Sequence, residues 1–252
     1  MEAKLKKVLL ITGSVFFWTL LWYFTAGLLN KNLLFKIPLP DETVKELLCC
    51  ITKSFFWKAV STSLLNIIGG FTFAVFAGLV CGMLSGNSNF FKILTSPISR
   101  LIRSVPVAAF IILAWLWIPS TAIPSFIAFL MVFPIVWLQV ENALIAVDNR
   151  LIEMATVMGM DRTGIIMNIK VPVVLPALRN SCITGLGFAW KSGVAAEVIC
   201  NPTGSIGALL SNAKSNLEYT RVFAIVLTIV ILSLILENII KFFWRSKRYD
   251  KI

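Results

Sequence analysis

The 252-residue sequence contains no histidine. This absence excludes a zinc or haem site that depends on imidazole, and it removes the side chain that most often serves as a general base. The five cysteines form no CxxC pair, and three of them, Cys81, Cys182 and Cys200, lie in or beside apolar runs, where cysteine is usually a small buried hydrophobe. No G-x-S-x-G nucleophile motif and no G-x-x-x-x-G-K-[ST] phosphate-binding loop occurs. We predict no catalytic residue, no metal site and no cofactor on this chain, which is therefore not expected to be an enzyme.

Charged residues are also scarce. They make up 14% of the sequence, against about 25% in a soluble domain, whereas hydrophobic residues reach 58%, against about 45–50%. Basic residues outnumber acidic ones 23 to 12, but no basic face interleaved with aromatic residues is present, so nucleic acid is not an expected partner. The composition predicts an all-α membrane protein surrounded by lipid.

Long apolar runs set the predicted topology. A helix needs about 20 mostly apolar residues to cross a bilayer core of about 30 Å. Six segments meet this requirement: Val8–Leu29, Ala59–Leu84, Ile93–Trp117, Ile123–Ile145, Val173–Ile199 and Val222–Trp244. The sequence thus predicts six transmembrane helices in one bundle.

A shorter amphipathic segment lies between the first two spans. Thr43 is predicted to cap a helix there, with Glu46 reaching back in a capping box. Apolar residues then recur every three or four positions: Val44, Leu47, Leu48, Ile51 and Phe55. We predict an amphipathic helix that lies on the membrane surface or on the bundle.

Lysine and arginine residues near the span ends predict the orientation. Six spans place both termini on one side together with 14 of the 23 basic residues, whereas seven lie on the opposite side. The termini are therefore predicted to be cytoplasmic. Residues 1–58 are assigned to the first span and an extracytoplasmic amphipathic helix, 59–244 to the transmembrane core, 146–172 to a cytoplasmic loop within it, and 245–252 to a basic cytoplasmic tail.

Small residues recur at four-residue spacing in two spans. The second span carries Gly70, Gly78 and Gly82, and the fifth carries Gly185 and Gly193. Small residues let helix backbones approach closely in lipid. We predict that these glycines lie at tight helix contacts.

The fifth span also holds two ionisable residues, Lys191 and Glu197. A charged side chain at membrane depth costs about 2.5–3.5 kcal/mol on insertion scales, so such residues are candidates for function. Six residues turn a helix by about 600°, so the two side chains point about 120° apart and each needs a partner elsewhere. A functional role and plain structural packing are both open for them.

The loop at 146–172 departs most clearly from the apolar pattern. Two short apolar faces follow one another at helical spacing, separated by Gly159: Leu151, Met154, Ala155 and Met158, then Ile165, Ile166 and Ile169. Pro172 is predicted to end the second helix. Two short helices, apolar on one face and charged on the other, predict a docking surface for a partner protein.

This loop resembles the EAA motif of binding-protein-dependent ABC importers, E-A-A-x-x-x-G followed by nine residues and I-x-L-P. The matching positions are Glu153, Ala155, Gly159, Ile169 and Pro172. Met154 replaces the first alanine of the motif, and Val171 replaces the leucine. In that family the loop forms coupling helices that insert into a cleft of a cytoplasmic ATPase subunit. The resemblance therefore implies an ATPase contact over this loop, which also includes Met160 and Arg162.

Other segments are similar to the branch of this family that imports nitrate, taurine and other sulfonates. They include Arg103-Ser-Val-Pro106, Phe133-Pro134 and Ala195-Ala196-Glu197. The resemblance implies the type I importer permease fold and a homodimer, with a second permease copy, in the bacterial cytoplasmic membrane. It also implies two copies of an ATPase subunit that carry ATP and Mg, and an extracytoplasmic substrate-binding protein.

Within this family, Trp190, Lys191 and Glu197 are hypothesised to line the translocation path, where paired Lys191 residues would favour an anionic solute. The alternative is a secondary transporter or channel that needs no ATPase. Such transporters are commonly built from repeats with broken helices at matching positions, and no internal repeat is found. A membrane enzyme is least favoured, because the sequence has no histidine and no nucleophile motif.

Overall fold

A computed structural model describes residues 2–29 and 37–244 of the chain. These residues form eleven α-helices and one π-helical turn, Ile166–Lys170, which lies between α8 and α9. The helices are α1 (Glu2–Leu29), α2 (Pro40–Ile51), α3 (Ser54–Asn87), α4 (Asn89–Ser104), α5 (Val107–Trp115), α6 (Ile123–Ile145), α7 (Asn149–Val157), α8 (Arg162–Ile165), α9 (Val171–Cys200), α10 (Ile206–Ser215) and α11 (Tyr219–Phe243). The predicted basic tail, 245–252, lies outside the described residues.

Four helical stretches of the described chain are long and apolar enough to cross a membrane: α3, α6, the stretch Arg162–Cys200 that contains α9, and α11. The number is five if α4 and α5, which are bent against each other, are counted as one span. The fourth predicted span and α6 have the same bounds. The prediction of an all-helical membrane protein is confirmed, whereas the count of six spans stays a prediction.

The third predicted span, Ile93–Trp117, is not one helix. It is divided into α4 and α5, which meet at an angle of 99°. Proline pushes the residue before it out of the helical region of backbone space, and Val105, just before Pro106, is extended at φ −90° and ψ 132°. Pro106 therefore breaks the span, whereas Pro97 is accommodated inside α4.

The amphipathic segment after the first span is helical, but it begins earlier than predicted. α2 starts at Pro40, where the missing N–H costs nothing, and Glu42 rather than Glu46 reaches back to accept from the Leu39 N–H at 3.3 Å. Thr43 is therefore a buried residue inside the helix and not its N-cap. Burial raises the pKa of the Cys50 thiol, and the nearby Glu46 carboxylate raises it further. A thiol that stays protonated is typical of a structural cysteine.

The core of the bundle consists of α3, α6 and α9. Its buried members share small or β-branched side chains that interlock between close backbones, and they include Ile67, Ala74, Val132, Val136, Val140 and Ala189. A second cluster joins α5 to α6 and α9 through Ile111, Ile123 and Cys200. α10 and α11 pack beside α9, and α2 packs against α11.

The helix after Gly159 does not end at Pro172 as predicted. α8 continues through the π-helical turn directly into α9, so Arg162–Cys200 is a continuous helical stretch of 39 residues. A proline ring inside an α-helix clashes with the carbonyl four residues before it. The wider π turn, in which the Val171 N–H bonds to the Ile166 carbonyl, lies where the Pro172 ring needs that room.

Candidate functional site

The predicted docking loop consists of α7, a tight turn and α8. The Asp148 carboxylate caps α7 by accepting from the Arg150 N–H at 2.9 Å, and the Asp161 carboxylate caps α8 by accepting from the Gly164 N–H at 2.9 Å. Between them Gly159 has φ +80°, a left-handed conformation that only glycine adopts without cost. The glycine of the EAA-like pattern is therefore explained by the turn itself.

Large apolar side chains at the tip of this loop are exposed. Val157 is 88% exposed and Met158 77%, and their apolar neighbours Leu151, Met154 and Met160 are also exposed. We call these five residues the apolar tip. Exposed apolar clusters of this kind mark interaction sites, and methionines suit surfaces that adapt to a partner.

The remaining predicted coupling residues lie around the apolar tip and at its base. Ala155 is buried in α7, whereas Glu153 and Arg162 are exposed. Ile169 and Pro172 are half-buried at the base of the loop. There the Lys170 ammonium donates to the side-chain oxygen of Asn87, which connects the π-helical turn to the end of α3.

The predicted packing glycines of α3 lie along α6. A Cβ on Gly70 would stand 2.1 Å from the backbone oxygen of Ser125, and one on Gly78 2.8 Å from Val136 Cβ. A Cβ on Gly82 would stand 2.7 Å from the backbone oxygen of Trp137. α3 and α6 therefore approach so closely that only glycine fits at these positions.

The glycines of α9 meet the other two core helices. A Cβ on Gly185 would lie 3.0 Å from Val132 Cγ1 of α6, and one on Gly193 2.6 Å from Ile67 Cγ1 of α3. α9 therefore packs tightly against both α6 and α3.

Glu197 lies in a buried hydrogen-bond network at one end of α9. Its side chain is fully buried, and Oε2 accepts from the Ser63 hydroxyl at 2.8 Å and from the Gly207 N–H at 3.0 Å. The Ser63 oxygen in turn accepts from the Ile206 N–H at 2.9 Å. The network joins α3, α9 and the first turn of α10.

Trp190 and Lys191 occupy opposite environments. Trp190 is 1% exposed, and its indole N–H donates to the Ile229 carbonyl of α11 at 3.1 Å. Lys191, the next residue, is exposed. The structure therefore does not bring the three hypothesised path residues together on one surface, because Trp190 and Glu197 are buried within the chain.

Some structural features of this region were missed from the sequence. α10 was not predicted, although Ser205, whose hydroxyl accepts from the Ala208 N–H at 3.1 Å, is a good N-cap signal. The close approach of Gly207 to Glu197, 2.3 Å from a Cβ to Glu197 Cβ, could not be foreseen from spacing. Within residues 2–29 and 37–244 no group of three metal-ligating side chains is found.

Comparison with known proteins assigns this arrangement to a family. Residues 74–249 match the family described as binding-protein-dependent transport system inner membrane component. The taurine transport system permease protein TauC of Escherichia coli is 27% identical over 239 residues, which cover 92% of this chain and 86% of TauC. The nitrate import permease protein NrtB of a Synechocystis species is 25% identical over 222 residues, 82% of this chain and 78% of NrtB.

A solved structure has the same fold. A chain of the MetNI methionine ABC transporter in an inward-facing conformation superposes with a TM-score of 0.55 at 20% identity, covering 74% of this chain and 89% of that one. At this identity the likeness concerns the fold alone.

Proposed function

This chain belongs to the family of binding-protein-dependent transport system inner membrane components, and from this premise we propose that it is the permease subunit of an ATP-driven importer whose ATPase is a separate cytoplasmic protein. The predicted family is confirmed by the match and by the relatives. We further propose that two copies of the chain form a homodimer that binds two ATPase subunits and receives solute from an extracytoplasmic binding protein. ATP and Mg would bind to the ATPase subunits and not to this chain.

The apolar tip of the 146–172 loop is the observation that carries the ATPase contact. It exposes apolar side chains next to charged ones, and a continuous helix from Arg162 onward joins it to α9. A displacement of the loop by an ATPase would therefore move α9 directly. ATP binding would then shift the population between inward-facing and outward-facing states, because the ATPase has unequal affinity for the two.

Six spans, with both termini cytoplasmic, fit the contacts of α1. This helix has 28 residues, enough to cross a bilayer. The Trp22 ring, near the end of α1, lies 5.9 Å from the Phe223 ring, near the start of α11. The end of α1 and the start of α11 are therefore on one side of the membrane, and the start of α1 and the end of α11, which lead to the two termini, are on the other. α3 begins beside α2 and ends beside Leu144, just before the coupling loop, which supports placing that loop on the side of the termini.

A charged substitution in the apolar tip tests the ATPase contact. We expect the double variant Val157→Glu/Met158→Glu to lower co-purification of the ATPase subunit at least about tenfold, because burying an unpaired carboxylate in an interface costs more than the roughly 1.4 kcal/mol that corresponds to a factor of ten. The measurement is the ratio of ATPase to tagged permease after affinity purification of the co-expressed complex.

The matched control is Leu217→Glu. Leu217 is an apolar residue, 68% exposed, in the short segment between α10 and α11 on the side opposite the loop. This variant should keep the wild-type ratio. An unchanged ratio in the double variant, or an equal loss in the control, would remove the apolar tip as the ATPase contact.

We propose a solute that carries an anionic group, because the relatives named above are a taurine transport permease and a nitrate import permease, and taurine has a sulfonate group while nitrate is an anion. Of the three hypothesised path residues, Lys191 alone has an exposed side chain that can meet a solute. Trp190 and Glu197 support the path as structural residues, through the bonds to Ile229 and Ser63.

Uptake assays with labelled taurine and nitrate test Lys191. Lys191→Ala should lower uptake about tenfold, as expected for loss of roughly 1.4 kcal/mol of charge attraction, whereas Lys191→Arg should retain most of it. Lys58→Ala, which removes an exposed charge near the outer end of α3, is the control and should transport normally. Unchanged kinetics in both Lys191 variants would exclude this residue from the path.

A further inference from the structure

A basic cavity lies between α4 and the last turns of α6. Its volume is about 180 Å³, and its polar lining comes from Lys92, Ser96, Ser99, Arg100, Arg103 and Glu141. Helix α4 supplies every cation of the lining, Lys92, Arg100 and Arg103, because these positions follow one another at spacings of eight and three residues, which bring them to the same side of a helix. The cavity is close to the coupling loop, which begins one turn after Glu141, so it lies on the proposed cytoplasmic side.

The charges that line this cavity do not balance. The Lys92 ammonium lies 3.8 Å from the Glu141 carboxylate, which is the acidic group of the lining. Arg103 uses its Nε to donate to the Ser99 carbonyl at 3.2 Å, and within the described part of the chain neither Arg100 nor Arg103 has an acidic partner. Two guanidinium groups are therefore available to an anion.

A buried hydroxyl in the same lining also lacks a partner. Ser99 is 2% exposed, yet its Oγ makes no hydrogen bond to any described residue. Buried polar groups are nearly always paired, and one that is not requires an explanation. The Ser99 hydroxyl and the guanidinium groups of Arg100 and Arg103 line one cavity, and all three can donate hydrogen bonds to a tetrahedral oxyanion.

The other face of α4 places the cavity at the membrane surface. That face exposes a row of large apolar residues: Phe90, Ile93, Leu94, Ile98 and Leu101. Since α4 meets the wholly apolar α5 at 99°, the two cannot both run along the membrane normal. α4, at the cytoplasmic end of this broken span, therefore has the two faces of a helix at the membrane interface, apolar toward the acyl chains and basic toward the headgroups.

We propose that this cavity binds a phosphate-type oxyanion through Arg100, Arg103 and the Ser99 hydroxyl, and that the phosphate of an anionic phospholipid is the source that the apolar face of α4 favours. Basic pockets between helices on the cytoplasmic side suit such headgroups. A free oxyanion has the same chemistry, and the experiment separates the two. The proposal does not depend on which solute the importer carries.

Lipid binding to the purified full-length protein tests the site. Dioleoylphosphatidylglycerol or dioleoylphosphatidylcholine is titrated into the detergent-solubilised chain, and bound lipid is counted by native mass spectrometry. We expect phosphatidylglycerol to bind at least about tenfold more tightly than phosphatidylcholine, and the variant Arg100→Gln/Arg103→Gln to lose this preference. Ser99→Ala, which keeps every charge, should weaken binding of phosphatidylglycerol a few-fold.

Arg150→Gln is the control, because it removes an exposed charge on the same side but outside the cavity. It should bind phosphatidylglycerol as the wild type does. Excess sodium phosphate that displaces the lipid, or that binds the lipid-free wild type but not the double variant, would identify a free oxyanion as a ligand of the same site. No preference for phosphatidylglycerol together with no phosphate binding would overturn the proposal, as would an equal loss in Arg150→Gln.

Discussion

Replacing Gly70 with alanine is expected to destabilise the protein strongly, while the same change at its neighbour Gly69 should be tolerated. An added methyl at position 70 would lie 2.1 Å from the Ser125 oxygen and 2.8 Å from its carbonyl carbon, both backbone atoms that cannot move aside alone. At position 69 nothing lies within 4 Å of the added methyl. The pair isolates the steric effect, because both residues are glycines in the same helix with the same propensity.

Overpacking a well-packed core typically costs about 1–3 kcal/mol, and a clash with backbone places Gly70→Ala at the top of that range. In a chain of this size about 3 kcal/mol lowers the melting temperature by roughly 6–12 °C. Gly69→Ala should be neutral or slightly stabilising, because alanine has the higher helix propensity. The measurement is thermal unfolding of the detergent-solubilised protein, and equal melting temperatures for the two variants would contradict the close α3–α6 contact.

Removal of the Glu197 carboxyl is the second change with a large expected effect. Glu197→Ala leaves the Ser63 hydroxyl and the Gly207 N–H without their acceptor in a fully buried site. Each unsatisfied buried donor costs about 1–3 kcal/mol, so we expect a loss of about 3 kcal/mol or more. Glu197→Gln keeps an acceptor oxygen of the same reach and should lose less than half as much.

The local readout for Glu197 is the docking of α10. The network joins Ser63 of α3 to the first turn of α10, so its loss should free that helix before the rest of the bundle unfolds. Trypsin cleavage after the exposed Lys214, near the end of α10, should become at least about tenfold faster in Glu197→Ala, because the protected fraction falls with the stability of the local contact. Wild-type cleavage rates and stability in Glu197→Ala would show that the network does not hold α10.

The loop at 146–172 follows largely from the sequence. α7, the turn and α8 follow from the helical spacing that ends at Met158, from the glycine at 159 and from the charged flanks. These features depend only on neighbouring residues. Pro172 shows the limit of prediction from neighbouring residues. The proline ring would by itself break an α-helix, but a π-helical turn of five residues makes room for it, so the helix continues from the loop into α9.

The candidate path residues show the same limit. Spacing alone indicated that Lys191 and Glu197 point in different directions, and the structure leaves one exposed and buries the other. That Glu197 meets Ser63, 134 positions earlier, depends on how α3 and α9 cross. No pattern within either helix encodes this meeting.

By itself the sequence determined the properties that arise from composition and local order: an all-helical membrane protein, the bounds of α6, the glycine turn of the loop, and a motif that identifies the family. The tertiary structure decided the burial of Glu197, its hydrogen bonds to Ser63 and Gly207, and the close approach of α3 to α6 at Gly70. The reason is physical. Helix formation and membrane partitioning depend on residues within about one turn or one span, whereas burial and hydrogen-bond pairing depend on contacts between segments that are distant in the chain.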